Sequence, residues 1–126
     1  MNTKIMIIDA HPVYAPKVAG FLESLTFKNI VIIARGAKAM EAVLEYKPDM
    51  IILSATLPDM DGLMLAKHIK SQMPAIAMIV QTGLLTSQDT IDAFKTAGVD
   101  YVCPRREKDW SAFQEALTDI VSSKAR

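Results

Sequence analysis

Five short apolar runs divide the chain, and a longer amphipathic stretch follows each of them. The runs cover residues 5–8, 30–34, 50–53, 76–80 and 99–103. The first four runs are continuous, and Asp100 interrupts the last; apolar runs of this length predict strands that are buried on both faces of a parallel sheet. Because helical patterns alternate with the strands, the sequence predicts an α/β fold in which helices cover both faces of the sheet.

The amphipathic stretches place apolar residues three and four positions apart, which is the spacing of one buried helix face. Pro12 and Pro16 are tolerated only near a helix start, so the first helix is expected to begin at residues 14 to 16. Thr86 is a candidate cap for the fourth helix. The residues expected to face inward in the five helices are Val18, Phe21, Leu22 and Leu25; Ala39, Met40, Val43, Leu44 and Tyr46; Leu65, Ile69 and Met73; Ile91, Phe94 and Ala97; and Trp110, Phe113, Leu117 and Ile120.

The third apolar run leads into the stretch with the most evident chemistry. It ends at Ser54, and a turn that contains Pro58, Asp59, Asp61 and Gly62 follows. Binding sites in open α/β sheets form just beyond the carboxyl ends of the strands, so Ser54 stands where a site is expected. Asp61 precedes the third helix, and we interpret it as a helix cap rather than as a metal ligand.

Length and composition describe one ordinary globular domain. The 126 residues are 51% hydrophobic and 22% charged, and the net charge is zero. This balance does not indicate nucleic-acid binding, and no apolar run approaches the length that spans a membrane. The single cysteine fits a reducing compartment, so a cytoplasmic protein is expected. One domain is expected over residues 1–126, with residues 122–126 as a frayed tail or the start of a linker.

Residues 48–63 resemble the third strand and following loop of response-regulator receiver domains. There the pattern reads P-D-x-(apolar)₃-D-x-x-x-P-x-x-(D/N)-G, and this chain matches it except at the phosphoacceptor aspartate, which is Ser54. The resemblance extends over the whole chain. It implies a three-layer, flavodoxin-like (βα)5 fold whose five parallel strands have the order 2-1-3-4-5.

The resemblance also implies a phosphotransfer pocket, but most of its charged groups are replaced. Receivers have two acids after the first strand, the acceptor aspartate, a Thr or Ser after the fourth strand and a Lys after the fifth. The two acids correspond to Asp9 and Ala10, the acceptor to Ser54 and the hydroxyl residue to Thr82. The chain therefore resembles an atypical receiver, a pseudo-receiver with a degenerate pocket.

Three registers remain open for the lysine position after the fifth strand. If the family's Lys-Pro pair is aligned on proline, the position falls on Cys103, followed by Pro104. If Tyr101 is aligned with the family's aromatic residue, it falls on Pro104. Without a gap from Gly98 it falls on Arg105, which would supply a substitute cation.

The replaced residues argue against the family's usual chemistry. A single carboxylate among neutral groups is a poor Mg²⁺ site, so we expect no cofactor and weak or absent Mg²⁺ binding. A serine hydroxyl cannot form an acyl phosphate, and no general base for Ser54 is evident. His11 is interpreted as part of the turn after the first strand. We therefore expect no catalytic residue, no metal ligand and no enzymatic activity.

The leading hypothesis is a two-component signalling module that acts through protein–protein contacts without being phosphorylated. One alternative is a receiver phosphorylated in an unusual way on a neighbouring acid. A less favoured alternative is a small flavodoxin-like enzyme, although residues 10–16 offer no phosphate-cradling loop. The expected partner is a protein or a second copy, and neither nucleic acid nor membrane is expected. The candidate interface, formed by the fourth helix, fifth strand and fifth helix, comprises Gln88, Asp92, Lys95, Tyr101, Arg105, Arg106 and Lys108.

Overall fold

A computed structural model describes residues 2–106 and 108–124, along which strands and helices alternate. The elements are β1 (Lys4–Ile8), α1 (Tyr14–Ser24), β2 (Asn29–Ile33), α2 (Gly36–Tyr46), β3 (Met50–Ser54), α3 (Gly62–Gln72), β4 (Ala77–Thr82), α4 (Gln88–Thr96), β5 (Tyr101–Pro104) and α5 (Ser111–Lys124). No helix in these two segments is long and apolar enough to cross a membrane.

The strands form one parallel sheet in the order β2-β1-β3-β4-β5. β3 lies at the centre of the sheet, and all five of its residues are buried. Its continuous apolar sequence is explained by this position, because a central parallel strand has helices on both sides. The predicted three-layer, flavodoxin-like fold and its strand order are confirmed.

The two faces of the sheet carry separate layers of the core. Ile5 and Ile7 of β1 point to one face and Met6 and Ile8 to the other, as the pleat of a strand requires. On the first face α1 and α5 pack against the sheet. On the second face α2, α3 and α4 cover it. The carboxyl ends of all five strands therefore open at one edge of the layered structure.

Several local predictions are corrected by the structure. Leu44 does not face inward, because its side chain is 55% exposed, whereas Ala39 and Val43 of the same helix are fully buried. The cap of α4 is Ser87 rather than Thr86, since the Ser87 hydroxyl accepts the Thr90 N–H at 3.2 Å. The Thr86 hydroxyl instead donates to the Gly83 carbonyl at 2.8 Å.

The ends of the later elements also differ from the predicted ones. β4 and β5 end one or two residues beyond the predicted runs, because Thr82 of β4 still pairs with Pro104 of β5. The last helix, α5, extends to residue 124 and so includes the first residues of the predicted frayed tail or linker, which stays a prediction. Ala125 and Arg126, the rest of that predicted tail, lie outside the described residues.

Candidate functional site

A pocket of about 440 Å³ opens at the carboxyl ends of the central strands. This is the edge at which α/β sheets form binding sites. Its walls come from the segments that follow β1, β3, β4 and β5. The lining residues are Asp9, Ala10, His11, Ser54, Thr56, Pro58, Gln81, Thr82, Gly83 and Arg105.

Among the described residues, Asp9 is the only acid in the pocket wall, and both of its carboxylate oxygens have partners. Its side chain is 3% exposed. Oδ1 accepts the backbone N–H of His11 at 2.9 Å, and Oδ2 accepts from Nη2 of Arg105 at 2.8 Å. Burial of a charged carboxylate is costly unless it is paired in this way.

His11 has a structural role at the start of α1. Its Nδ1 accepts the backbone N–H groups of Val13 and Tyr14, at 3.2 and 2.9 Å. These are N–H groups that a helix start leaves without an intrahelical partner. The imidazole therefore serves as a cap for α1 in the turn that follows β1, with its Nδ1 lone pair already in use.

Arg105 brings a cation into the pocket from the end of β5. Its backbone N–H donates to the Thr82 carbonyl at 2.8 Å, which continues the β4–β5 pairing beyond the strand. Nη2 donates to Asp9 and, at 3.2 Å, to the hydroxyl of Ser54. The guanidinium carbon also lies 4.2 Å from the centroid of the Tyr14 ring. The side chain keeps 24% of its surface exposed, so its position is held by these contacts rather than by full burial.

Within the described residues, the Ser54 hydroxyl makes three hydrogen bonds, with Thr56 and Arg105, and neither residue supplies a base. Its proton is donated to the backbone carbonyl of Thr56 at 2.9 Å. The oxygen accepts from Arg105 and, at a longer 3.4 Å, from the Thr56 N–H. Activation of a serine requires a neighbouring group that can take its proton, and a backbone carbonyl cannot do this.

Of the three residues considered for the lysine position, only Arg105 lines the pocket. Cys103 points away from it into the core between the sheet and α5, where burial raises the pKa of its thiol. Pro104 pairs with Thr82 at the end of the sheet. The structure thus places Asp9, Ala10, Ser54 and Thr82 of the predicted pocket together and separates Cys103 and Pro104 from them.

The loop after β3 is a tight turn with its own hydrogen bonds. Thr56 and Asp61 form an isolated antiparallel bridge, and Asp61 caps α3 by accepting the Leu63 N–H at 3.0 Å. Gly62 packs so closely that a β-carbon there would lie 2.4 Å from the Ala55 carbonyl oxygen. Only glycine fits such an approach, which explains the residue at this point of the motif.

Comparison with known proteins identifies this architecture. The family model for the response regulator receiver domain matches residues 5–109. This chain belongs to the response regulator receiver domain family. It is 29% identical over 103 residues to the response regulator protein VraR of Staphylococcus aureus, a match that covers 79% of this chain and 48% of VraR. The chain thus spans about half the length of the curated relatives it matches.

Solved receiver structures show the same fold. The signal receiver domain of a DNA-binding response regulator from Colwellia psychrerythraea superposes with a TM-score of 0.85 at 24% identity, covering 95% of this chain and 98% of that one. A CheY-like receiver domain protein from Methanospirillum hungatei gives a TM-score of 0.87 at 17% identity, over 99% and 98% of the two chains. At these identities the likeness concerns the fold.

The acids of this receiver domain do not fit the Mg²⁺ that the family's pocket normally holds. Asp9 is the only carboxylate that the described part of the chain contributes to the pocket wall. Asp59 accepts the Gly36 and Ala37 N–H groups at 3.0 and 2.9 Å, which places it at the start of α2, and those bonds lower its pKa. Within residues 2–106 and 108–124, no three acidic, histidine or cysteine side chains lie close enough together to hold a metal ion.

The exposed residues of the predicted partner face come from two segments of the chain, α4 and the stretch after β5. Gln88, Asp92 and Lys95 of α4 are exposed, and Gln88 donates to Asp92 at 2.9 Å. Arg106 and Lys108 are exposed after β5. Arg105 is turned into the pocket, where it contacts Asp9 and Ser54. The interface candidates that remain outside the pocket are Gln88, Asp92, Lys95, Tyr101, Arg106 and Lys108.

Tyr101 belongs to the α5 side of the sheet. Its ring packs on the core layer that contains α1 and α5, and its hydroxyl donates to the Asp119 carboxylate. That bond raises the pKa of the Tyr101 hydroxyl, because the donated proton is held by the carboxylate. Val102 faces the α4 side instead. If Arg105 is aligned with the family's lysine, the position of the family's aromatic residue, three residues earlier, falls on Val102.

Two further residues shape the site, and sequence reasoning gave them no role in it. The Tyr14 ring packs against the Arg105 guanidinium, and Gln81 donates from Nε2 to the Tyr14 hydroxyl at 3.2 Å. Gln81 is a polar residue at the buried end of β4, and this is the sequence signal that could have identified it. Tyr14 carried no such signal, because an aromatic residue at a helix start is usually part of the core.

Proposed function

We propose that this receiver domain acts in two-component signalling through protein–protein contacts that do not depend on its phosphorylation. The observation that carries the proposal is the position of Arg105, whose guanidinium donates to both Asp9 and Ser54. The chain's own cation thus occupies the acidic end of the pocket. No enzymatic activity and no resident metal are part of this proposal.

The charges in the pocket support a site that does not take up a metal ion or a phosphoryl group. In phosphoryl transfer, metal ions and basic side chains neutralise the charge that develops on the transferred group. Here one fixed guanidinium meets one carboxylate, so the pair is already neutral. A metal ion would have to displace Arg105 from Asp9, and it would find an alanine methyl and a hydroxyl where further carboxylates are needed.

The nucleophile position supports the same conclusion. Ser54 is 4% exposed, and its proton is directed at the Thr56 carbonyl. Its oxygen accepts from Arg105, which withdraws electron density from the atom that would have to attack. A serine in this environment is a weak acceptor for phosphate, and an acyl phosphate on it is chemically impossible.

The proposed contact surface is the face formed by α4, β5 and α5, with a partner protein or a second copy as its occupant. Arg106 and Lys108 after β5 and Asp92 and Lys95 of α4 are exposed, so the two segments carry charges of both signs. Complementary charges at the rim of an interface mainly set the rate of association and its salt dependence. A domain with a fixed pocket presents this surface in one conformation.

Phosphodonor treatment tests the first half of the proposal. Incubation with acetyl phosphate and Mg²⁺, read by intact-mass spectrometry, should leave the parent chain unmodified. The matched positive control carries Ala10→Asp, Ser54→Asp and Arg105→Lys, which restores the family's acids and lysine beside the retained Thr82. Base-labile phosphate on Asp9, Asp59 or Asp61 of the parent would contradict the proposal and support unusual phosphorylation.

Charge reversal tests the second half. Arg106→Glu with Lys108→Glu should weaken association with the partner isolated from the native cell, or self-association in sedimentation, and most strongly at low salt. Lys67→Glu, on an exposed position of α3, is the control and should leave association unchanged. Equal binding by both variants across a range of salt concentrations would exclude this face as the interface.

A further inference from the structure

The contacts of Tyr14 point to a role for a residue that lines neither the pocket nor the surface. Tyr14 is the first residue of α1 and is 1% exposed. One face of its ring receives the Arg105 guanidinium, with 4.2 Å between the guanidinium carbon and the ring centroid. Its hydroxyl accepts from Gln81 at the end of β4. The hydrogen bond from Gln81 of β4 therefore fixes the ring at its hydroxyl end.

The Tyr14 ring also belongs to a stack of aromatic rings. Trp110 lies parallel to it, with 5.6 Å between the centroids and 6° between the planes. Phe21 of α1 stacks on Trp110 at 4.8 Å and 18°. Arg105, Tyr14, Trp110 and Phe21 thus form one continuous column, which we call the Arg105 stack. It runs from the pocket to the layer between α1 and α5.

We propose that Tyr14 is the positioning residue that holds Arg105 over Asp9 and Ser54, and that the Arg105 stack transmits the position of this arginine to Trp110. A guanidinium on a flexible stem has many rotamers and is strongly attracted to water. The flat ring favours the one orientation in which the guanidinium plane lies against an aromatic face. Trp110 stacks parallel to the Tyr14 ring and Gln81 donates to its hydroxyl, so these contacts hold the ring in place when the arginine leaves.

A regulatory consequence follows from this arrangement. When Arg105 leaves Asp9, the guanidinium no longer packs on the Tyr14 ring. When Trp110 rearranges, the Tyr14 ring that holds Arg105 loses its stacking partner. The pocket and the α1–α5 layer are thereby coupled through direct packing. This inference rests on the same Arg105 contacts as the proposed function, but it holds whether or not the protein is ever phosphorylated.

Chemical labelling of arginine tests the positioning role directly. Phenylglyoxal modification, quantified per residue by peptide mass spectrometry, should be slow at Arg105 and fast at exposed Arg35 and Arg106 in the parent. Tyr14→Leu should raise the Arg105 rate about fivefold, because the aromatic face is lost. Tyr14→Phe, which keeps the face and loses only the hydroxyl, should leave the rate within about twofold of the parent.

A destabilised control separates positioning from general loosening of the structure. Phe113→Leu changes a core ring that neighbours Phe21 and Trp110 but lies outside the stack. It should lower the melting temperature without accelerating Arg105 labelling. An unchanged Arg105 rate in Tyr14→Leu, or equal acceleration in Phe113→Leu, would overturn the positioning role of Tyr14.

Tryptophan fluorescence tests the transmission step, even if Tyr14→Leu does not fold. Trp110 is the single tryptophan of the chain, so its emission is specific to the stack. Arg105→Met should shift the emission maximum or change the quantum yield of Trp110, although Tyr14 lies between the two residues. Arg106→Met should leave the emission unchanged. Identical spectra for the parent and Arg105→Met would show that the stack carries nothing from the pocket.

Discussion

Arg105 and Asp9 are separated by 96 residues in the chain, and their charged groups meet at 2.8 Å in the pocket. The carboxylate is almost fully buried, whereas the guanidinium keeps about a quarter of its surface in water. The pair is thus asymmetric, and the acid depends on the arginine more than the arginine depends on the acid. Removal of the cation leaves a buried charge without compensation.

Replacement of Arg105 by methionine should therefore lower the free energy of unfolding by about 2 kcal/mol at neutral pH, in the range for loss of a charged hydrogen bond. Urea titration with fluorescence detection is the measurement. Addition of Asp9→Asn should recover part of the loss, because no buried charge is then left unpaired. Arg106→Met is the matched control and should stay within about 0.5 kcal/mol of the parent. Equal losses at Arg105 and Arg106 would mean that the ion pair does not stabilise the fold.

Rebuilding the acidic cluster should restore magnesium binding. Ala10→Asp with Ser54→Asp would add two carboxylates to the wall that Asp9 already occupies. Millimolar Mg²⁺ should then raise the melting temperature progressively with its concentration, equivalent to about 1.4 kcal/mol at ten times the dissociation constant. The parent should show no such rise.

Ser54→Asp alone is the informative control for the rebuilt cluster. Arg105 Nη2 already lies 3.2 Å from the Ser54 oxygen, so a carboxylate there should pair with the arginine. That variant should become more stable without gaining Mg²⁺ dependence. A saturable Mg²⁺ response in the parent itself would refute our assignment of the pocket as unsuited to metal.

The sheet was predictable from sequence because a strand that is buried on both faces of a parallel sheet has an almost entirely apolar sequence. β3 is the clearest case, since each of its residues contacts a helix layer or a neighbouring strand. Leu44 was predicted to face inward but is exposed. The spacing of apolar residues predicts which side of a helix is buried, but not how many residues on that side are covered. The end of β5 shows a second limit. Its last residue is determined by pairing with Thr82, which the sequence of β5 does not reveal.

That second limit explains why the pocket was only partly predictable. Asp9, Ser54 and Thr82 follow strand ends that the apolar runs define, so their meeting could be expected. The choice among Cys103, Pro104 and Arg105 depends on how far β5 extends, and one residue of shift reverses the direction of every side chain. The role of Tyr14 could not be predicted from sequence, because its contact with Arg105 joins residues from opposite ends of the chain.

Glycine at position 62 should be essential, whereas glycine at position 20 should be replaceable. Gly62→Ala would place a β-carbon 2.4 Å from the Ala55 carbonyl oxygen, a rigid backbone atom, and should cost about 2–3 kcal/mol of unfolding free energy. Gly20→Ala, within α1, meets no atom within 4 Å and should stabilise by about 1 kcal/mol. Urea unfolding of both variants measures the contrast. Similar values for the two would mean that the loop after β3 relaxes to admit a side chain.

Asp59 should make the acid stability of the domain depend on the junction between the β3–α3 loop and α2. Its carboxylate accepts the N–H groups of Gly36 and Ala37, and these bonds hold its pKa below the ordinary value of about 3.9. A carboxyl whose pKa is lowered by folding stabilises the native state at every pH above its unfolded value. The contribution disappears as pH falls through the lower folded value, because the protonated group no longer attracts the helix start.

Asp59→Asn should therefore lower the urea midpoint at pH 7, and the difference from the parent should shrink progressively below about pH 4. The measurement is a series of urea titrations from pH 7 to pH 2.5. Asp92→Asn serves as the control, since Asp92 is exposed on α4 and accepts from the neighbouring Gln88 side chain rather than from backbone N–H groups of the described residues. Its midpoint should follow that of the parent throughout. A constant difference between Asp59→Asn and the parent across the whole pH range would show that the charge of Asp59 contributes nothing, and that only the shape of the side chain matters at this junction.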